Sequence, residues 1–255
     1  MKISGNTILI TGGGSGIGRG LAEAFQRAGN HVIIAGRRRQ ALDEVTSANP
    51  GMKGVSLDID NPADIRDFGT RMAREFPALN VVVHNAGIMR PENLQKPGES
   101  LADAEGMVTT NLLGPIRLNA ALLPLLRTQP TSTIMTVSSG LAFLPLSFTP
   151  TYCATKAAIH SYTLSLRWQL RETTTEVIEL IPPYVQTELM GPSQAQDPRA
   201  MPLGDFLNEV MDILRTQPYV KEVCVERVKP LRLAEASGNF DAAFTTLNQS
   251  APAPH

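Results

Sequence analysis

Cysteine and histidine are scarce in this sequence of 255 residues, which contains two cysteines and four histidines. Cys153 and Cys224 do not form a CxxC motif, which argues against a disulfide framework and against a zinc site built from cysteines. His31, His160 and His255 have no acidic or cysteine neighbours at the spacing of metal ligands. We therefore expect no metal.

An excess of charge of either sign is also missing, because the formal net charge is −1. Nucleic acids and anionic membranes select proteins with clustered lysine and arginine, so neither is an expected partner. Hydrophobic residues make up 42% of the chain and charged residues 18%, which is typical of a globular protein and compatible with one large domain. We therefore expect the protein to act on a small molecule rather than on a nucleic acid or a membrane.

Long hydrophobic runs are absent. The first six residues contain no apolar stretch of signal-peptide length, and the most apolar segment, residues 112–126, is interrupted by glycine, proline, arginine and asparagine. We expect a cytoplasmic protein without a membrane segment. The small, proline-rich residues 250–255 are expected to form a flexible tail.

Short runs rich in β-branched residues alternate with amphipathic segments along the chain. The runs predict strands at residues 7–11, 31–36, 53–58, 80–84, 133–138 and 175–181. The amphipathic segments predict helices at residues 21–28, 41–48, 63–76, 101–126 and 151–171. Several strands are apolar almost throughout, as strands covered on both faces must be. The sequence therefore predicts one doubly wound α/β domain over residues 1–255, with a mostly parallel central sheet of the Rossmann type flanked by helices.

Ligands of such folds bind outside the carboxyl ends of the strands, where the strand order reverses. Two less regular segments, residues 88–100 and 182–202, are expected to project from that edge as substrate loops.

A glycine-rich turn follows the first strand directly. The segment from Thr11 reads TGGGSGIG, and a helical pattern begins after it. Glycine permits a sharp turn and a close approach of backbone to pyrophosphate, while the free N–H groups of a helix start point at the anion. A flexible turn without function is the alternative. The candidate phosphate-binding residues are Gly12, Gly14, Ser15, Gly16, Ile17 and Gly18.

Together with later motifs, this turn resembles the short-chain dehydrogenase/reductase family, in its small single-domain branch. The supporting segments are TGxxxGxG, His84-Asn85-Ala86-Gly87, Asn111, Ser138-Ser139, Tyr152-Cys153-Ala154-Thr155-Lys156 and residues 182–187. Within that family the chain is most similar to poorly characterised bacterial DltE-like oxidoreductases. The resemblance implies a Rossmann fold, a nicotinamide cofactor and a homodimer or homotetramer in which residues 151–171 form an interface helix.

The cofactor preference is predicted from Arg37, Arg38 and Arg39, which follow the second strand. Enzymes that prefer NAD usually carry an acidic residue there, whereas a guanidinium pairs with the 2′-phosphate of NADP. We expect Arg37, assisted by Arg38 or Ser15, to favour NADP(H), with NAD(H) as the less favoured cofactor. A solvated basic helix start is the alternative.

The resemblance also implies further cofactor contacts. Asp58 matches the family position that bonds the adenine, although it is also placed to cap the helix before Pro62. The remaining implied contacts are Ile59, Asn85, Ala86, Gly87, Pro182, Val185 and Thr187. His84 and Pro183 depart from the family's NNAG and PG motifs.

Tyr152 and Lys156 are four residues apart in a predicted helix, so both side chains lie on one face. A nearby ammonium is expected to lower the pKa of the tyrosine, which otherwise is a poor base. Without other motifs, a tyrosine and a lysine four residues apart in a helix are usually a surface pair. The resemblance implies that Tyr152 transfers the proton, that Lys156 tunes it and holds the nicotinamide ribose, and that Ser139 bonds the substrate oxygen. Ser138 is the competing serine.

Asn111 is the fourth catalytic position that the resemblance implies. Pro115 lies four residues later and has no N–H, so the carbonyl of Asn111 should lack its helical partner. It would then be free to hold a water for a proton relay to Lys156. A proline kink without function is the alternative.

These residues predict an oxidoreductase that transfers hydride between the nicotinamide cofactor and a carbonyl or alcohol. The loop at residues 140–148 is apolar, as are its expected neighbours Pro183, Tyr184 and Met190, which predicts an uncharged, largely apolar substrate. The same residues would otherwise pack an oligomer interface or a lid. Two other functions compete: a catalytically silent nucleotide-binding regulator or scaffold, and a nucleotide-sugar epimerase, which usually has a larger C-terminal domain.

Overall fold

A computed structural model describes residues 1–96 and 101–250. Seven strands form one parallel sheet, with strand order β3-β2-β1-β4-β5-β6-β7. Their bounds are β1 Thr7–Thr11, β2 His31–Gly36, β3 Lys53–Ser56, β4 Val81–His84, β5 Ser132–Val137, β6 Thr175–Ile181 and β7 Glu222–Cys224. The predicted doubly wound α/β fold is confirmed.

Helices cover both faces of this sheet. The α-helices are α1 Gly16–Arg27, α2 Arg39–Ala48, α3 Pro62–Glu75, α4 Ala102–Val108, α5 Gly114–Leu126, α6 Pro150–Leu170, α7 Leu203–Thr216, α8 Lys229–Arg232 and α9 Phe240–Gln249. Within the described ranges, no helix is both long enough and apolar enough to cross a membrane.

Alternate residues of each strand pack into two separate cores. Ile8 and Ile10 of β1 join one core, with Phe25 of α1 and Phe206 of α7, while Leu9 between them joins the other. The second core is covered mainly by α3, α5 and α6. Burial on both faces explains why the strands are apolar almost throughout.

Strands β1, β2 and β6 have the predicted bounds, whereas α1 begins at Gly16 rather than at residue 21. The glycine turn therefore leads directly into the helix. The helix predicted at residues 101–126 is interrupted by a π-helical turn, Thr109–Leu113, in which the N–H of Gly114 donates to the carbonyl of Thr109. This shift in the helical hydrogen-bond register accommodates Pro115, which has no backbone N–H to donate.

The C-terminal third contains elements that the sequence did not predict: β7, α7, α8 and α9. In the expected loop at residues 182–202, Val185 bridges Met201 and a 3₁₀ helix spans Pro192–Gln196. Part of the other expected substrate loop, residues 97–100, lies outside the described residues, as do residues 251–255 of the expected tail.

His84 ends β4 inside the protein, where it is 4% exposed. Its Nε2 lies 2.7 Å from Oδ1 of Asn119, while Nδ1 has no hydrogen-bond partner among the described residues. Burial lowers the pKa of His84 to about 4, and the contact with Asn119 opposes this only partly. The ring is therefore neutral at pH 7, with Nε2 as the donor.

Folding should accordingly lose stability in acid, because the unfolded chain gains a proton below the ordinary histidine pKa of about 6.5, which the folded chain binds only near pH 4. We expect this group to reduce the free energy of unfolding by about 3 kcal/mol between pH 7 and pH 4. Urea denaturation of wild type and His84→Gln across this range measures the difference. His31→Gln, at an exposed position, is the control. An equal loss of stability in wild type and His84→Gln would contradict the assignment.

Candidate active site

A cleft of about 790 Å³ opens at the carboxyl ends of the strands. It lies between β1 and β4, which are neighbours in the sheet. From β1 the strand order continues through β2 to β3 on one side, and from β4 it continues through β5 to β7 on the other, so the strand order reverses at this point. Most of the sequence-predicted site residues border it. Those residues are Gly12, Gly14, Ser15, Gly16, Ile17, Arg37, Arg38, Ile59, Asn85, Ala86, Gly87, Ser139, Tyr152, Lys156, Pro182, Val185 and Thr187.

The glycine turn is shaped by close packing as well as by backbone conformation. Gly12 and Gly16 have φ values of 66° and 53°, which side chains rarely adopt. A Cβ on Gly18 would lie 2.4 Å from Nδ2 of Asn85, so Gly18 serves packing beneath the turn. α1 starts at Gly16 without a side-chain cap, which leaves its first N–H groups for an anion.

Asn85 joins the ends of the two central strands. Its Nδ2 donates to the carbonyl of Thr11 at 3.0 Å, and its own N–H donates to Oγ1 of Thr11 at 3.1 Å. Oγ1 of Thr11 also accepts from the N–H of Ala86 at 3.0 Å. These contacts hold the glycine turn against the segment that follows β4.

The arginines after β2 separate into two arrangements. Nη1 of Arg37 pairs with Oδ2 of Asp60 at 2.9 Å, whereas Nη2 of Arg38 donates to Oγ of Ser15 at 3.0 Å. Ser15 belongs to the glycine turn, so Arg38 and Ser15 form a donor pair at the cleft. The sequence had given Arg37 the leading role, but its guanidinium is already engaged by a carboxylate.

Asp58 does not border the cleft as described. Its Oδ1 accepts from the N–H of Asp60 at 3.1 Å, and it stabilises the turn before α3. The alternative that it caps α3 is wrong, because the N-cap is Asn61, whose side chain accepts from the N–H groups of Ala63 and Asp64.

Ser139 and Tyr152 meet at the cleft with their hydroxyl groups close together. Oγ of Ser139 accepts from the N–H of Leu141 at 3.1 Å, so its own hydrogen is available for a ligand. Ser138, the competing serine, is 2% exposed, and its Oγ has no partner among the described residues. Apolar contacts surround the phenol ring, which packs with Met89 and Met107.

Lys156 lies on the same face of α6 as Tyr152, as the spacing predicted. Its Nζ donates to the carbonyl of Val137 at 2.8 Å and lies 5.5 Å from the centroid of the Tyr152 ring. Burial lowers the pKa of Lys156 to about 8, because the ammonium has left water.

The pKa of Tyr152 is raised in this arrangement, chiefly by burial, and the Ser139 hydroxyl opposes this rise only in part. The expectation that Lys156 lowers the pKa of Tyr152 is therefore wrong for the protein alone. The physical reason is that burial removes the phenolate from water, while Nζ of Lys156 is directed at the carbonyl of Val137.

The side chain of Asn111 is 2% exposed and lies behind the cleft. Its Oδ1 accepts from the N–H of Ile88 and its Nδ2 donates to the carbonyl of the same residue, both at 2.9 Å. Nδ2 also donates to Oγ1 of Thr155, at 3.2 Å. The amide is thus occupied in joining the segment after β4 to α6.

Sequence reasoning missed the polar rim of the cleft. Arg90, Arg199 and Arg227 border it, together with Leu247 and Ser250 at the end of α9. Arg199 pairs with Asp197, and Arg227 donates to the carbonyl of Arg199 at 2.7 Å. Arg90 and Arg199 lie in the two expected substrate loops, residues 88–100 and 182–202, whereas no motif marks Arg227.

A family model described as short chain dehydrogenase matches residues 6–198. The chain is 38% identical over 251 residues to the uncharacterized oxidoreductase DltE of Bacillus subtilis strain 168, covering 97% of this chain and 98% of that protein. It is 27% identical over 225 residues to the uncharacterized oxidoreductase SA2266 of Staphylococcus aureus strain N315, covering 88% of this chain and 96% of that protein.

Solved structures share the fold. A short chain dehydrogenase from Burkholderia cenocepacia J2315 in complex with NADP has a TM-score of 0.80 at 23% identity, covering 99% of this chain and 100% of that chain. A short chain dehydrogenase/reductase from Burkholderia phymatum in complex with NAD also has a TM-score of 0.80, at 20% identity, covering 99% of both chains. Proteins of this fold therefore bind either nicotinamide cofactor.

Proposed function

Because the chain belongs to the short-chain dehydrogenase family, we propose that it transfers hydride between NADP(H) and a carbonyl or alcohol, with Tyr152 as acid and base. The observation that carries the proposal is that Ser139, Tyr152 and Lys156 border the same cleft as the glycine turn. A bound nicotinamide would supply the hydride, and the protein supplies position and the proton.

The proton chemistry follows from burial. Tyr152 is held protonated by its surroundings, which suits it to donate to a carbonyl oxygen during reduction. Ser139 directs its free hydrogen at the same oxygen. Lys156, with a pKa of about 8, changes charge close to neutral pH, and its Nζ lies 5.5 Å from the centroid of the Tyr152 ring. It would hold the ribose of a bound nicotinamide cofactor.

Asn111 completes the proposed relay through its backbone. Pro115 removes the N–H that would bond this carbonyl in an α-helix, and the π-helical turn takes up the change of register. A water held by the carbonyl would connect Lys156 with solvent. The amide side chain, which donates to Oγ1 of Thr155, fixes Asn111 against α6.

For the cofactor we propose that Arg38 and Ser15 bind the 2′-phosphate, with Arg37 at the margin. The two donors already lie 3.0 Å apart, and a phosphate between them accepts hydrogen bonds from both. Arg37 also faces Asp60, which offsets part of its charge.

The proposed substrate is an uncharged carbonyl compound whose reacting end is largely apolar. Ile88, Met89, Leu141 and Leu146 pack around Tyr152, so a charged group beside the carbonyl would lose its solvation. The rim arginines are the observation that favours a substrate with an anionic group, and the two substrate classes can be separated by experiment.

We further propose a cytoplasmic homo-oligomer formed through α6. Leu164 and Trp168 of this helix are 44% and 69% exposed and lie one turn apart, which is unusual for such large apolar side chains.

Tyr152→Phe should lower kcat by about two to four orders of magnitude, because it removes the proton donor alone. The dissociation constant for NADPH should stay within about twofold of wild type, since the ring and the fold are kept. Stopped-flow reduction of a ketone panel and fluorescence titration measure the two quantities. Unchanged turnover would refute the mechanism. If wild type binds NADPH but reduces none of the panel, the result would support a catalytically silent regulator.

Wild type should bind NADPH more tightly than NADH, and Arg38→Asp should narrow or reverse the preference by placing a carboxylate beside the phosphate. Arg37→Asp should have the smaller effect, because Arg37 already pairs with Asp60. Titration of both cofactors against the three proteins decides between the arginines. Equal affinities of wild type for the two cofactors would remove the case for NADP(H).

Hydrophobic ketones and aldehydes should have higher kcat/KM than keto acids and keto sugars of similar size, because the wall around Tyr152 offers no partner for a charge. Arg227→Gln, which removes one positive charge from the rim of the cleft, is the variant for comparison with wild type. It should leave the neutral substrates unaffected. A preference of wild type for keto acids that disappears in Arg227→Gln would instead assign the rim to an anionic group.

A further inference from the structure

Two acidic residues lie side by side beneath the loop that follows Ser139. Glu179 of β6 and Glu222 of β7 are direct partners in the parallel register. Glu179 is fully buried, and its Oε1 has no partner among the described residues. Adjacent carboxylates on one face repel each other, so each needs a compensating group.

Each carboxylate has a separate partner from outside the sheet. Oε2 of Glu179 lies 2.8 Å from Nδ1 of His160, which is on α6 one turn beyond Lys156. Glu222 is held at both oxygens by Arg232 of α8, at 2.9 and 3.0 Å. His160, Glu179 and Glu222 together offer three donor atoms within 4.8 Å of one another, which is an arrangement that a metal could use. A metal would have to displace Arg232, so the ion pairs explain the group better.

Phe143 packs against His160 and Arg232. The edge of its ring meets His160 with centroids 4.6 Å apart, and the guanidinium of Arg232 lies 4.4 Å from the ring centroid. Phe143 directly follows the short 3₁₀ helix Gly140–Ala142, whose N-cap is Ser139. Phe143 itself does not border the cleft.

Resting on the proposed function, we propose that Phe143, His160 and Glu179 are positioning residues that fix Ser139 relative to Tyr152. The helix that carries Tyr152 and Lys156 also carries His160, and the loop that carries Ser139 also carries Phe143. The contact between His160 and Phe143 therefore joins the two catalytic segments, and Glu179 holds the imidazole in place. Small misplacements of reacting groups lower kcat more than they lower binding.

The test compares Phe143→Leu with Phe143→Tyr and Glu179→Gln. Phe143→Leu keeps the ion pairs but removes the ring, and should lower kcat about tenfold with KM and NADPH binding within about twofold. Phe143→Tyr keeps the aromatic ring and should therefore have the kcat of wild type. Glu179→Gln should resemble Phe143→Leu, because a neutral amide oxygen holds the imidazole less strongly than a carboxylate oxygen does.

Thr163→Val is the matched control, since Thr163 joins the same helix to β5 through a hydroxyl pair with Thr136, 2.7 Å apart. It should leave kcat unchanged, even where its effect on thermal stability equals that of Glu179→Gln.

Hydrogen exchange measured by mass spectrometry supplies a readout that does not depend on activity. The N–H groups of Phe143 and Leu144 both donate to the carbonyl of Gly140, and their exchange should be faster in Phe143→Leu and Glu179→Gln than in wild type or Thr163→Val. Unchanged exchange and kcat in both variants would overturn the inference, as would a loss of kcat that Thr163→Val reproduces. If wild type proves inactive, the proposed function fails and the exchange result alone decides on the positioning role.

Discussion

The hydrogen bonds between Asn85 and Thr11 connect the ends of the two central strands, and the cleft depends on that connection. β1 and β4 are neighbours, but the segments after them diverge, which opens a crevice between their carboxyl ends. Asn85 also lies beneath the glycine turn, where a Cβ on Gly18 would collide with it. One side chain thus sets both the depth of the crevice and the position of the phosphate-binding backbone.

Around this crevice, the backbone satisfies the polar groups that the fold buries. Lys156 donates to the carbonyl of Val137, and Asn111 bonds both backbone groups of Ile88. These contacts offset the desolvation of two polar side chains and prevent them from turning elsewhere. Contacts with the backbone therefore fix the positions of Lys156 and Asn111. The hydroxyl groups of Ser139 and Tyr152 lie close to each other and border the cleft, where a ligand can reach them.

Most of the sheet could be predicted from the sequence because burial on both faces imposes continuous apolar runs, and β1, β2 and β6 end where those runs end. β7 could not be found in this way, since it has only three residues, Glu222–Cys224, and becomes a strand by pairing with β6. The motifs predicted residues that border the cleft, including Ser139, Tyr152 and Lys156. The orientation of the arginines could not be predicted, because Asp60 attracts Arg37 only once β3 lies beside β2. The pKa of Tyr152 was misjudged for the same reason: spacing along a helix indicates which groups are near, but burial decides which charge is tolerated.

The residues proposed for catalysis and part of the rim of the cleft lie in different parts of this chain. The family model matches residues 6–198, which contain the glycine turn and the residues proposed for catalysis. The rim of the cleft is completed later, by Arg199, Arg227 and the end of α9, where Asn248 bonds the backbone of Ser147 and Pro145. The loop after Ser139 is thus held from one side by a helix beyond the shared region and from the other by the Phe143–His160 contact. Both supports therefore act on the one loop that carries Ser139.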